Sequence, residues 1–301
     1  MANTKKLIAV VGATGLQGGA VVRALQASGR FKVRALTRTP AKHSSSADEV
    51  VMADLDRPET LQAAFAGAHG VFVVTNAWEP GTDEGKQALA AVHAAKQAGV
   101  QHFIWSTLPN VEAISRGKLD VRHFTDKAKI ERSVKEAGFA HHTFVMAPFY
   151  FQNLLGVMAP QKQADGTVGW ALPLDPKKRV IHMGDISELG QVVLGAFTQP
   201  ELAGHGEHLP LVGDFLSFGE VIDTLNQQGH QFSFKQVPQE VFAGWFPGAK
   251  EIAEMLAYFE AHTYLGGDSR DAITLANKVA GRQPTKFAAW ARANFAVPAA
   301  A

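Results

Sequence analysis

Gly12, Gly15 and Gly18 recur in Gly12-Ala13-Thr14-Gly15-Leu16-Gln17-Gly18, between an apolar run and an amphipathic stretch. Glycines so placed allow a tight turn, a close approach of backbone to ligand, and close packing of helix on strand. The helix that follows presents unpaired N–H groups and a partial positive charge, which is chemistry for holding phosphate. The bare pattern is weak in a chain with 28 glycines, and its position is what makes it a pyrophosphate loop rather than a plain turn. A second group follows the next apolar run: Thr37-Arg38-Thr39-Pro40-Ala41-Lys42. NAD sites place a carboxylate there to accept the ribose hydroxyls, and this segment has none. Arg38 can stack on adenine and grip a 2′-phosphate, and Lys42 adds a second charge, which favours NADP(H). Ordinary solvated surface charges are the alternative. Asp54 is placed to accept from the adenine amino group, or else to cap a helix.

The catalytic chemistry is less regular. Short-chain dehydrogenases use Tyr-x-x-x-Lys, in which the tyrosine is the acid and the lysine lowers its pKa and holds the nicotinamide ribose. Of the 3 tyrosines here, Tyr150 is followed at that spacing by Leu154, Tyr258 by His262 and Tyr264 by Asp268. The dyad is absent. The equivalent helix carries His123-Phe124-Thr125-Asp126-Lys127. His123 is a candidate proton donor near neutral pH, or else a first-turn residue with no acid role. Lys127 is the candidate ribose contact.

These residues need a scaffold, and the first half of the chain supplies its rhythm. Short apolar runs at 7–11, 31–37, 49–53, 70–75, 102–106 and 142–147 read as strands. Helical stretches at 15–28, 58–65, 84–97 and 124–137 alternate with them, and a Ser44-Ser45-Ser46 loop interrupts once. Such alternation with short connections demands a parallel sheet covered on both faces. The second half is mixed. Asp185 with Glu188, and Ser217 with Glu220, are capping-box spacings that start helices. Residues 231–237 read as a strand and 247–262 as a helix. The expected fold is α/β: a Rossmann-type doubly wound parallel sheet over 1–152, with 180–200 returning to it. A smaller α/β lobe is expected over 153–179 and 201–301.

Composition narrows the field. The chain has 301 residues, 29 Lys+Arg against 28 Asp+Glu, 46% hydrophobic residues and no Cys. No thiol can serve as nucleophile, zinc ligand or redox switch. A net charge of +1 argues against direct nucleic-acid binding. The apolar run after Lys5-Lys6 stops at Gly12, too short for a signal peptide, and nothing approaches a membrane span. A cytoplasmic protein without membrane attachment is expected.

The chain resembles the NmrA-like proteins, atypical members of the extended short-chain dehydrogenase superfamily, and especially their NADPH-sensor (HSCARG-like) branch. The matching stretches are Ile8-Ala9-Val10-Val11-Gly12-Ala13-Thr14-Gly15, Val74-Thr75-Asn76-Ala77-Trp78-Glu79, and His123 to Lys127. Phe149-Tyr150-Phe151-Gln152-Asn153-Leu154-Leu155 and Phe246-Pro247-Gly248-Ala249-Lys250 match as well. The resemblance implies NADP(H) lying across the strand ends. By position it implies Thr14, Leu16, Gln17 and Gly18 at the pyrophosphate, Arg38 and Lys42 at the 2′-phosphate, and Asp54 with Leu55 at adenine. Asn76, Trp78, Ser106, Lys127, Phe149, Tyr150 and Asn153 would line the nicotinamide end, and Thr75 joins the cofactor-binding set. Some members sense nucleotide redox state and bind regulatory proteins, while others transfer hydride.

Two functions therefore stand. One is a redox-state sensor or regulator that engages a regulatory protein. The other is an NADPH-dependent reductase of a quinone, enone or related aromatic substrate. A monomer or homodimer suits either. Phe149, Tyr150, Phe151, Trp170, Trp245 and Phe246 read equally as an aromatic pocket or as an interface between lobes. His205-Gly206-Glu207-His208 reads as a polar loop rather than a metal site, and Lys177-Lys178-Arg179 as a solvated turn.

Overall fold

The computed structural model describes residues 5–42 and 47–295, and Ser44, Ser45 and Ser46 lie outside the described residues. Strands and helices alternate from the start: β1 (Leu7–Val10), α1 (Leu16–Ser28), β2 (Lys32–Thr37), β3 (Glu49–Met52), α2 (Leu61–Phe65) and β4 (Gly70–Val73). Then come α3 (Glu84–Gln97), β5 (His102–Thr107), α4 (Val111–Ser115), α5 (Arg122–Glu136) and β6 (His141–Met146). The second half adds β7 (Phe149–Tyr150), β8 (Gln161–Lys162), β9 (Val168–Leu172), β10 (Ile181–Gly184), α6 (Leu189–Thr198) and α7 (Pro200–Ala203). It continues with β11 (His205–Pro210), β12 (Asp214–Leu216), α8 (Phe218–Gln227), β13 (Phe232–Gln236) and α9 (Gln239–Phe242). Three helices close it: α10 (Ala249–His262), α11 (Arg270–Ala280) and α12 (Phe287–Asn294).

The main sheet has seven strands in the order β3-β2-β1-β4-β5-β6-β11. Every pairing in it is parallel. The order runs outward in opposite directions from β1 and β4, which makes a crevice beyond their carboxyl ends, where α/β sheets bind ligands. β4 and β5 are buried along their whole length, as an apolar strand covered on both faces must be. Side chains of α1, α6 and α11 cover one face. Those of α2, α3 and α5 cover the other. The expected Rossmann-type α/β fold is present.

The smaller lobe has two three-stranded sheets, β12-β10-β7 and β13-β9-β8, around a core that includes Phe151, Trp170, Phe218, Phe259 and Trp290. Ser217 and Glu220 form the expected capping box on α8. Asp185 caps the 3-10 turn Ile186–Glu188 that runs directly into α6, while the Glu188 carboxylate turns to Arg282 and Thr285.

Residues 201–301 differ from the expected lobe in one respect. β11 joins the main sheet beside β6, and α11 packs under it and against α6. His205-Gly206-Glu207-His208 is therefore the start of a strand, and its polar character follows from its place at the sheet edge. The close approach of α6 to α11 needs Gly195, where a Cβ would stand 2.0 Å from the Val279 carbonyl oxygen.

Candidate functional site

The glycine loop lies between β1 and α1 at the carboxyl edge of the sheet. Gly12 has φ +69°, and a Cβ there would meet Val74 Cγ1 at 2.7 Å. A Cβ on Gly18 would stand 2.2 Å from the Gly12 carbonyl oxygen, so the helix can sit on the turn only without one. Gly15 is different. Its Cβ would touch only the Gly12 oxygen, at 3.4 Å, so the protein itself leaves room for a side chain there. Among the described residues no acceptor takes the amides of Leu16, Gln17 and Gly18. Thr14, Gly15 and Leu16 are exposed, and the first turn of α1 carries no acidic side chain. Open donors at a helix N-terminus suit an anion.

Gln17 reaches from that turn across the crevice. Its Nε2 donates to the Tyr150 hydroxyl at 2.7 Å, and its Oε1 accepts from Ser106 Oγ at 2.7 Å. Burial pushes the Tyr150 phenol up to about 12, against a smaller opposing effect of Gln17. Phe149 is buried in the smaller lobe's core. Asn153 sits in the 3-10 turn Phe151–Leu155 and is half-buried. Of the aromatic group, Phe151 and Trp170 are core, whereas Trp245 and Phe246 are each 48% exposed.

Lys127 projects from α5 toward β4 and α3. Its Nζ donates to the Thr75 carbonyl at 2.9 Å, to Thr75 Oγ1 at 2.8 Å and to Glu84 Oε1 at 2.5 Å. All three ammonium protons are thereby used. Burial lowers its pKa, and the Glu84 carboxylate opposes that. Glu84 is a partner that no spacing in the sequence pairs with Lys127.

His123, one turn earlier, meets the other lobe. Its Nδ1 lies 2.6 Å from Glu251 Oε1 on α10, which also accepts from the His123 backbone N–H at 3.0 Å. These bonds hold the Glu251 carboxyl below the usual carboxylate range. The Trp78 ring packs 4.9 Å from the His123 ring, centroid to centroid. Asn76 Oδ1 caps the Trp78 amide.

Arg38 follows β2 as expected, but its guanidinium bonds Glu79 Oε1 at 2.5 Å, a residue of the loop after β4. That bond raises its pKa, with Asp54 and Asp56 adding smaller effects. Lys42 ends a 3-10 turn and is exposed. Asp54 Oδ1 accepts from the Asp56 amide, and Leu55 packs on the apolar core under α2 and α3. The predicted residues thus fall into small groups held by separate contacts. Gln17, Ser106 and Tyr150 touch directly, whereas Lys127 and His123 bond partners of their own.

The chain matches the model of the NmrA-like family over residues 4–291. It is 28% identical over 281 residues to an NmrA-like family domain-containing protein of Dictyostelium discoideum, covering 87% of this chain and 91% of that protein. It is 34% identical over 243 residues to an NmrA-like family domain-containing oxidoreductase of Aspergillus hancockii, covering 74% of this chain and 72% of that one. Its fold is similar to NmrA, a negative transcriptional regulator solved in complex with NADP, with TM-score 0.80 and 23% identity over 97% of this chain and 96% of that one. The glycine loop, the strand order and these matches together place the chain in the NmrA-like family.

Proposed function

We propose that this protein binds NADP(H) and works as a sensor of nucleotide redox state, in the manner of the NADPH-sensor branch. One observation carries the sensing role: Lys127, the candidate ribose contact, already donates to the Thr75 carbonyl, Thr75 Oγ1 and Glu84. His123 is likewise held by Glu251, and Tyr150 by Gln17. The phenol, pushed up to about 12, keeps its proton at neutral pH. Binding of the dinucleotide is supported by the open amides of Leu16, Gln17 and Gly18 and by the clearance beside Gly15. The nicotinamide, when bound, would supply hydride chemistry. The residues of this chain would hold the pyrophosphate on α1, the adenosine beside Arg38 and Lys42, and the nicotinamide end beside Ser106 and Tyr150. The His123–Glu251 bond joins α5 to α10, so a change at the crevice has a path to the second lobe.

A second reading is an NADPH-dependent reductase of a quinone, enone or related aromatic compound, in which Lys127 positions the ribose and His123 or water gives the proton. It is favoured by the similarity to the Aspergillus hancockii oxidoreductase and by the half-exposed rings of Trp78, Trp245 and Phe246. Titration with NADPH, NADP, NADH and NAD, following binding and turnover together, separates the two. A cofactor-dependent change in protease sensitivity without turnover supports sensing. Steady NADPH oxidation on a quinone and carbonyl panel, lost in Lys127→Ala, would establish the reductase instead.

A further inference from the structure

We infer that Glu79 sets this site's choice between phosphorylated and unphosphorylated adenosine ribose, by competing with a 2′-phosphate for Arg38. The inference rests on the nucleotide-binding reading above and adds a specificity determinant to it. No carboxylate follows β2 in the chain, yet the fold supplies one from the loop after β4, with Glu79 Oε1 2.5 Å from Arg38 Nη1. The side chains are 57% and 37% exposed, so the pair stands in solvent and a rival anion can open it at small cost. Asp54 and Asp56 add negative charge near the same guanidinium. The positive charge that Arg38 and Lys42 offer is therefore opposed by carboxylates on its own rim.

The two riboses meet this arrangement differently. A 2′-phosphate carries more charge than a carboxylate and accepts from the guanidinium fork, so it displaces Glu79. A free ribose diol instead presents donors to Glu79 and leaves the ion pair in place, which is the role the acidic residue plays in NAD sites. Displacement also reaches further, because Trp78 precedes Glu79 and packs on His123, which bonds Glu251 of the other lobe.

Calorimetry on the full chain with adenosine 2′,5′-bisphosphate and with adenosine 5′-monophosphate tests this in wild type, Glu79→Gln, Arg38→Ala and the double variant. Because Glu79 is exposed, the fold tolerates its change. Glu79→Gln is expected to tighten the bisphosphate about fivefold or more at low salt and, by removing the carboxylate that accepts from the free ribose diol, to weaken the monophosphate about twofold or more. Arg38→Ala is expected to weaken the bisphosphate about tenfold and to abolish the gain from Glu79→Gln. Bisphosphate affinity unchanged or weakened in Glu79→Gln, with Arg38→Ala still harmful, overturns the inference and leaves the nucleotide site standing. Failure of both nucleotides to bind the wild-type chain overturns the nucleotide reading itself.

Discussion

Gln17 and Tyr150 stand 133 positions apart in the chain and are joined by a 2.7 Å hydrogen bond, with the amide donating to the phenol oxygen. The same amide accepts from Ser106, so the first turn of α1, the end of β5 and the start of the second lobe meet at one side chain. Gln17→Ala removes both bonds and strands the buried Ser106 hydroxyl, for an expected loss of about 1–3 kcal/mol of stability. Tyr150→Phe removes one bond and should cost about 1 kcal/mol. In denaturant melts the double variant should lose less than the sum, by about 0.5 kcal/mol or more. Strict additivity would show that Gln17 and Tyr150 are not coupled.

Lys127 and Glu84 form a buried ion pair, and its members differ in what their removal leaves behind. Glu84→Ala leaves an ammonium buried beside Thr75 alone, for which about 3–5 kcal/mol of destabilisation is expected. Changing both, to Lys127→Met with Glu84→Leu, removes the charges together and should recover much of that loss. Equilibrium unfolding of the wild type and the two variants decides the matter, and a double variant worse than Glu84→Ala would contradict it.

The glycines of the loop should separate folding from binding. Gly18→Ala forces a methyl group into the Gly12 carbonyl and is expected to destabilise the protein severely. Gly15→Ala finds room, so its stability should change by no more than about 1 kcal/mol. Its NADP affinity should nonetheless fall about tenfold or more, because backbone there must approach the pyrophosphate. A Gly15→Ala protein that binds nucleotide normally would count against the proposed site.

Buried histidines should make the protein sensitive to acid. Burial pushes His102 down to about 3 and His182 down to about 4, and it also lowers His69 and His142. In the unfolded chain an imidazole titrates near about 6.5, so below that pH the unfolded state binds more protons. Their contribution is fully present above about pH 6.5 and is lost as pH falls toward the folded values. His102 and His182 then each cost up to about 1.4 kcal/mol per pH unit. Thermal melts from about pH 7.5 down to about pH 5 should show a falling midpoint, and His102→Gln should flatten that slope. An identical slope in the variant would remove His102 from the account.

What the sequence determined by itself was whatever local rules govern. Gly12 and Gly18 are required by turn geometry within one short segment, and the apolar runs of β1, β4 and β5 announce strands because both of their faces are buried. The Ser217–Glu220 box is local in the same way. The edge strand β11 is obscured by polar residues that a sheet edge permits, and α11 has only a stripe of apolar positions to mark it. The site's electrostatics were settled by tertiary structure alone. Arg38 and Glu79 are 41 positions apart, Lys127 and Glu84 are 43 apart, and His123 and Glu251 are 128 apart. No periodicity links such pairs, since they exist only where the sheet order brings separate loops to one edge. Arg38 read alone is a free cation awaiting a phosphate; folded, it already holds a carboxylate, and Coulomb's law at 2.5 Å makes that partner the first thing a ligand must contend with.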